Sequence, residues 1–490
     1  MDTLTAHPPT IPLVTNSWFS LDFLKKVDPV SATIHRGYEL VNKALKLPFR
    51  MIYWRQEYVI LPAKYMRDLK TAHRDHLSFF ETVQDVFFLR SFVGDLFQSD
   101  RQVCTVKKGL NPHLNDATDI SISEMDHAFT EELGSCESWT SIPVLTTFCG
   151  IAHRVASRVI VGEEVCRNPL FKKASHDYFS GHVDLGCILL WVPWNSLRAI
   201  LAPVLSFLQR SRQRRVLGMV ASVMKKRHEA KTTTTSVTSE ARTDCIEWTL
   251  RFEDQFPLSK TEDPFWQMSH ELIHLLGAAH APTGMILTQM FWHLFGNPQY
   301  LEPLREEAER AIGEFGMTTK IVNHLPLQDS FIRETNRMYK NNKLGITRRV
   351  MDEPFTFHDG LTLPVGTRVA FPVDEYTRDP DTFPDPDKFD GYRYIRFTES
   401  DTRTEDGVNQ WNASHAHQLN LTFGYGAHVC PGRFFAVRLI KIIFTKLLTE
   451  YDFRSEWKGD GMPPGFQFEG SEVPNIKARI SFRKRSSPRR

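Results

Sequence analysis

The chain lacks the features that would mark several functional classes. Its seven cysteines, at 104, 136, 149, 166, 187, 245 and 430, are odd in number and form no CxxC pair. A disulfide framework and a thiolate zinc site are therefore not indicated, and a reducing compartment fits best. The sequons at Asn412 and Asn420 are then expected to be unused. No run of about 18 apolar residues is present, and the polar, proline-broken start MDTLTAHPPTIPLVTNSWFS is not a signal peptide. Charge of one sign is also missing. Against 60 Lys+Arg stand 58 Asp+Glu, a net +2 that excludes a nucleic-acid-binding polycation. Internal repeats and domain-separating linkers are absent.

With 41% hydrophobic and 24% charged residues over 490 positions, the chain can bury a sizeable core. Phe, at 35 residues against 12 Tyr, favours apolar cavities. Strand-like runs occur at Phe49–Tyr53 and Tyr58–Leu61, and again over 354–372 with turns at Asp359-Gly360 and Val365-Gly366. From about 80 to 350 the apolar spacing is mostly helical, with long helices over 264–295 and 298–315. Lys231–Asp244 reads as a polar loop, 373–422 as a long irregular segment, and 432–451 as a final helix. The fold expected is mainly α with a minor β part, in one large domain. Leu185–Leu208 is apolar but broken by Pro193, Arg198 and Pro203. It predicts two short helices around a turn, a surface that can dip into a membrane without spanning it.

The segment Phe423-Gly424-Tyr425-Gly426-Ala427-His428-Val429-Cys430-Pro431-Gly432 carries the most specific chemistry. Two glycines allow a tight turn and close approach to a flat ligand. A single cysteine before a helix N-terminus favours the thiolate. A strongly donating thiolate on such a loop suits the axial position of haem iron, where it pushes electron density toward O–O cleavage. A buried structural cysteine in a glycine turn is the alternative.

This segment matches F-G-x-G-x-x-x-C-x-G, the haem signature of the cytochromes P-450. The chain resembles that family from about residue 40 to 480, and Pro431–Ala436 resembles its fungal members that oxidise specialised metabolites. The resemblance implies the cytochrome P-450 fold over 1–490, with haem b held by Cys430. Phe423 would lie beside the haem, and Gly424 and Gly426 in the turn. His428, Arg348 or Arg349, and Lys107 or Lys108 would be partners of the haem propionates. It further implies that Glu334 and Arg337 (an E-x-x-R pair) are joined by Arg393 in a buried lock behind the cysteine loop. In isolation the first two are only an i,i+3 helix pair. An N-terminal anchor, which most eukaryotic members carry, is not found in residues 1–35, so the chain is expected to begin just after one. The expected place is the cytosolic face of the endoplasmic reticulum, peripherally bound.

The long helix holds a competing motif. His270-Glu271-x-x-His274-x-x-Gly277-x-x-His280 is the zinc pattern of metzincin proteases, with Glu271 as base. On a continuous helix His270 and His274 lie about 40° apart and His280 about 100° from their midpoint, so the three converge only if the helix ends at Gly277. The apolar pattern resumes at Met285, which favours continuation. In the resembling family the same helix carries an acid and a threonine for proton delivery. Here His280 and Ala281 hold those positions, followed by Pro282. Pro282 removes the N–H that would bond the Ala278 carbonyl, so the helix is expected to open and admit water. His280 and Thr283 are the expected relay. Phe79, Phe80, Phe87, Phe88, Phe92, Leu344 and Ile346 are candidate pocket residues, each read more readily as core on apolar burial frequencies. Arg433, Arg438, Lys441 and Lys446 are candidates to face an acidic reductase.

The reading is a haem-thiolate monooxygenase oxidising an apolar small molecule, terpenoid- or polyketide-like, with O2 and electrons from NADPH through a reductase. The alternatives are a haem-thiolate isomerase or peroxygenase that needs no reductase, a zinc protease, and a catalytically dead relative.

Overall fold

A computed structural model describes residues 11–15, 28–86, 88–92, 94, 96–97, 99–192, 194–233, 243–256, 263–400 and 410–486. Phe87, Pro193 and most of the polar 231–244 loop and of the 1–35 segment lie outside these residues. The architecture is mainly helical with small sheets. Two compact units result. One comprises Met1–Phe87, Ser330–Cys430 and Pro464–Pro474; the other comprises Phe88–Asp329, Pro431–Pro463 and Asn475–Arg490.

The first unit is built on a five-stranded sheet in the order Phe49–Tyr53, Gln56–Ile60, Arg368–Phe371, Gly345–Val350, Leu77–Ser78. Burial alternates along Phe49–Tyr53 and Gly345–Val350, so one face of each enters the core. A bulge between Gly345 and Arg348 resets the pairing, bringing Arg348 opposite Val369 and Arg349 opposite Arg368. The Ile346, Arg348 and Val350 side chains then share the buried face, while Thr347 and Arg349 point the other way. Ile346 packs with Val350, Val369 and Phe371, and Leu344 with Phe49 and Tyr58. Both are therefore core residues of the sheet.

The second unit is organised by the helix Pro264–Gly296. Asp263 caps its start by accepting from the Phe265 N–H, and Pro264 fits the first turn. It packs along the helix Val144–Ile160. The contact is close because Gly284 has no side chain: a Cβ there would lie 2.5 Å from Cys149 Sγ. This helix does not open at Pro282. It stays helical to Gly296, held by that packing and by the Thr283 hydroxyl, which donates to the Ala279 carbonyl at 2.6 Å.

Three further expectations are revised. The two short helices of Leu185–Leu208 are the ends of long ones, Phe171–Trp191 and Asn195–Thr233. The irregular segment 373–422 contains the helices Val373–Thr377 and Arg393–Ser400. Beyond the final helix, Arg433–Glu450, the strands Tyr451–Ser455 and Arg479–Lys484 pair with each other and, through the latter, with Thr140–Pro143.

Candidate active site

The loop around Cys430 is closed by backbone. The Cys430 N–H donates to the Phe423 carbonyl at 2.8 Å, that of Val429 to Gly426 at 3.1 Å, and that of Gly424 to Leu421 at 3.0 Å. Gly424 and Gly426 both take positive φ, +77° and +69°. Gly426 is doubly constrained, since a Cβ would stand 2.4 Å from the Leu69 carbonyl oxygen. Phe423 and Cys430 are partly exposed.

Arg348 reaches this loop from the sheet, and the loop's own His428 reaches back to it. Arg348 is 3% exposed, and its Nη2 donates to the Tyr425 carbonyl at 2.9 Å and its Nη1 to the Thr347 carbonyl. Burial pushes its guanidinium down to about 9. Among the described residues no carboxylate pairs with it. His428 donates from Nε2 to the Leu77 carbonyl at 3.1 Å and lies against the Phe79 and Phe80 rings. Burial, then the charges of Arg348 and Arg74, push it down to about 3. The neighbouring Arg349 faces Glu81 and Asp85 at 3.7 and 3.5 Å. Strand alternation thus separates two adjacent arginines into one with acids and one without. Lys107 and Lys108 are exposed on the Thr105–Leu110 turn.

Glu334, Arg337 and Arg393 come together in the same unit, at 0%, 2% and 4% exposure. Arg337 makes two bonds to the Glu334 carboxylate, 2.8 and 2.9 Å, and Arg393 Nε lies 3.2 Å from both oxygens. The Asp390 N–H adds a fourth donor at 3.0 Å. The remaining guanidinium N–H groups reach the carbonyls of Thr377, Pro384 and Pro386, tying the Val373–Thr377 helix and the 384–390 turn to the Pro326–Met338 helix.

The histidines of the metzincin-like motif go to separate partners. His270 meets the Tyr178 hydroxyl at 3.2 Å and Gln213 at 3.3 Å, while His274 Nδ1 meets Gln102 at 2.9 Å. His280 Nδ1 donates to the Leu276 carbonyl at 2.8 Å. Glu271 is not available as a base: Arg101, fully buried, binds it through two N–H groups at 2.8 and 2.9 Å. This buried ion pair was missed in the sequence, where Arg101 stands in no motif. The helix continues past Gly277, so the three rings have no common focus. Burial pushes His270 down to about 3 and His274 to about 4. An unfolded chain takes up these protons below its ordinary value of about 6.5, while the folded chain refuses them until far lower pH. Stability should therefore fall as pH drops from about 6.5. The urea midpoint is expected to be lower at pH 5.5 than at pH 7.5, with the difference reduced in His270→Phe; an unchanged difference in that variant would remove His270 from the account.

Two of the four basic candidates on the last helix, Lys441 and Lys446, are corrected. Lys441 is buried against Asp329 at 2.6 Å, and Lys446 against Asp126 and Glu450. Arg438 spends its Nη1 on Asn115, Thr118 and Thr319, and Arg433 lies over the Phe434 ring. These side chains hold the unit together, so the two lysines present no charge to a partner. Of the aromatic candidates, Phe92 and Phe88 pack with Leu185, Leu189 and Ala202.

Residues 67–476 match the family model for cytochrome P450. The chain belongs to the cytochrome P450 family. Cytochrome P450 monooxygenase sirB of Leptosphaeria maculans is 32% identical over 92% of this chain and 85% of its own length. Cytochrome P450 monooxygenase paxP of Penicillium paxilli is 28% identical over 93% and 85%, and an ent-kaurene oxidase of Fusarium fujikuroi 27% over 92% and 83%. Among solved structures, retinoic acid-bound cyanobacterial CYP120A1 aligns over 97% of this chain and 99% of its own, with a TM-score of 0.67 at 18% identity, a likeness of fold. This P450 is a monooxygenase that uses haem b, dioxygen, a small-molecule substrate and a redox partner. Its residues fit the cofactor. A thiol on a rigid glycine loop and a buried guanidinium without a carboxylate are what a haem with anionic propionates requires.

Proposed function

We propose that this P450 oxidises an apolar specialised metabolite, terpenoid- or polyketide-like, with electrons from an NADPH–cytochrome P450 reductase, and that the Cys430 thiolate would hold the haem iron. The observation that carries the site assignment is Arg348, buried beside the cysteine loop, where it donates to two carbonyls and among the described residues meets no carboxylate. With Arg348 on one propionate, His428 would be the further partner from the same unit. The substrate class rests on the ent-kaurene oxidase and the other fungal monooxygenases among its relatives. Bound haem supplies the activation of dioxygen; the chain must position substrate and move protons. The test is incubation with ent-kaurene and a panel of terpenes and polyketides, with reductase and NADPH. A product gaining one oxygen supports the reading. Turnover that persists without reductase or NADPH would favour isomerase or peroxygenase chemistry.

Proton delivery is assigned to His280 and Thr283. Pro282 cannot donate to the Ala278 carbonyl, and both residues are exposed on one strip of the helix, which leaves an acceptor for water there. Thr283 uses its proton on Ala279 and retains lone pairs to accept. Thr283→Val should lower product formed per NADPH and raise peroxide release; unchanged coupling would remove the hydroxyl from the relay.

A peripheral membrane contact is supported by the exposed Trp194, Ile200, Val204, Phe207 and Leu208, at 56–67% exposure. Among the described residues no helix is long and apolar enough to cross a membrane. We place this face on the cytosolic surface of the endoplasmic reticulum. Ile200→Asp with Phe207→Asp should weaken vesicle binding by about tenfold or more, since each buried side chain of this size contributes about 1.5–3 kcal/mol. Equal binding of the double variant would move the contact elsewhere.

A further inference from the structure

The helix Asn195–Thr233 carries two kinds of chemistry on one outer strip. Its apolar part holds Ile200, Val204, Phe207 and Leu208, all exposed. Further along come Arg214, Arg215, Lys225 and Lys226, also exposed. At 100° per residue these eight positions fall within an arc of about 120°. The strip is therefore apolar from 200 to 208 and basic from 214 to 226. The positions between, Ser211, Gly218 and Ser222, are small and leave the cations unscreened.

The sequence from 195 to 228 contains eight Lys and Arg and no Asp or Glu. Two of the eight are used inside the protein: Arg227 is buried on Asp244 and Glu164, and Arg198 donates to the Val192 carbonyl. Arg215 reaches Asp177 of the Phe171–Trp191 helix only at 4.0 Å, and Asp177 is shared with Lys173 at 3.0 Å. Among the described residues no ion pair forms at Arg214, Lys225 or Lys226. The Phe171–Trp191 helix also exposes Asp184, one charge against the strip's four.

We propose that this strip binds the anionic phospholipids of a bilayer, its apolar part entering the acyl boundary and its basic part lying on headgroup phosphates. This rests on the peripheral membrane contact proposed above and names the partner of that face.

The order of residues selects the partner. An acidic protein surface or a nucleic acid would satisfy the cations but leave four large apolar side chains in water. A second copy of the chain would bury those side chains but set basic residues against basic residues wherever the strip paired with itself. A bilayer offers an apolar layer beside a layer of phosphates, the two environments that the strip needs. The guanidinium forks of Arg214 and Arg215 fit phosphate oxygens in pairs, and Lys225 and Lys226 add point charges. A neutral bilayer supplies no net surface potential, so an excess of cations on this scale is matched only by anionic lipid.

The test is sedimentation of the full-length haem-loaded protein with vesicles of phosphatidylcholine alone, or with about 30% phosphatidylserine. Each cation near an anionic surface contributes about fivefold in affinity, so four should give roughly a hundredfold preference for the anionic vesicles or more. Raising salt from about 0.1 M to about 1 M shortens the screening length from about 10 to about 3 Å and should abolish the preference. Changing Arg214, Arg215, Lys225 and Lys226 together to Gln should abolish it at low salt while leaving the affinity for neutral vesicles as it was. Exchanging Arg for Lys and Lys for Arg at the same four positions should retain it, and this variant decides should the Gln variant fail to fold. Equal wild-type affinity for both vesicles, or a preference that survives in the Gln variant, overturns the proposal while the apolar contact stands. Binding to anionic vesicles with none to neutral ones refutes the apolar contact and this proposal together, and makes an acidic protein surface the partner of the strip.

Discussion

A Glu334→Ala protein is expected to lose about 3–5 kcal/mol of stability, the usual cost of breaking a buried ion pair from one side. Among the described residues Glu334 is the carboxylate that both Arg337 and Arg393 bind, so its removal leaves two buried guanidinium groups without it. Their carbonyl partners on Thr377, Pro384 and Pro386 remain, but these cannot neutralise charge. The loss should appear as a lower melting temperature together with reduced haem content on purification. Glu334→Gln, which keeps an oxygen acceptor for one arginine, should fall between. An Ala variant that expresses, holds haem and melts like the wild type would mean that this cluster carries no load.

Cys430→Ala separates ligation from architecture. The bond from the Cys430 N–H to the Phe423 carbonyl is a backbone bond, and alanine retains it. The variant should therefore fold with its loop and the Glu334 cluster intact. It should lose the thiolate-type carbon-monoxide spectrum of the reduced protein completely, and with it all NADPH-supported oxidation. Retention of that spectrum would move the ligand to another cysteine.

The two outcomes also show why some of the site was legible in sequence. The cysteine loop needs two positive-φ glycines and one thiol at fixed spacing, so geometry dictates residue type there. The choice between Arg348 and Arg349 was not legible, because it depends on which face of the strand each takes, and a bulge sets that face. Lys441 and Lys446 were misread for a related reason. On a helix surrounded by partners a lysine can be buried if an acid from elsewhere reaches it, and Asp329 and Asp126 are distant in sequence. Pro282 was read from its missing N–H alone, whereas the close packing at Gly284 keeps the helix intact. The short C-terminal strands were not identified, since each relies on a partner far along the chain.

The bulge between Gly345 and Arg348 carries a cost that no inventory of functional residues would show. Strand faces exchange with every one-residue slip. A single insertion or deletion here would turn Arg348 out toward Glu81 and Asp85 and bring Arg349, or a neighbour, beneath Tyr425. Every side chain of the site would still be encoded, yet the cation beside the cysteine loop would be misplaced. This stretch should therefore tolerate changes of residue far better than changes of length, so gene-shuffling crossovers between homologues ought to keep 345–348 as one unbroken block.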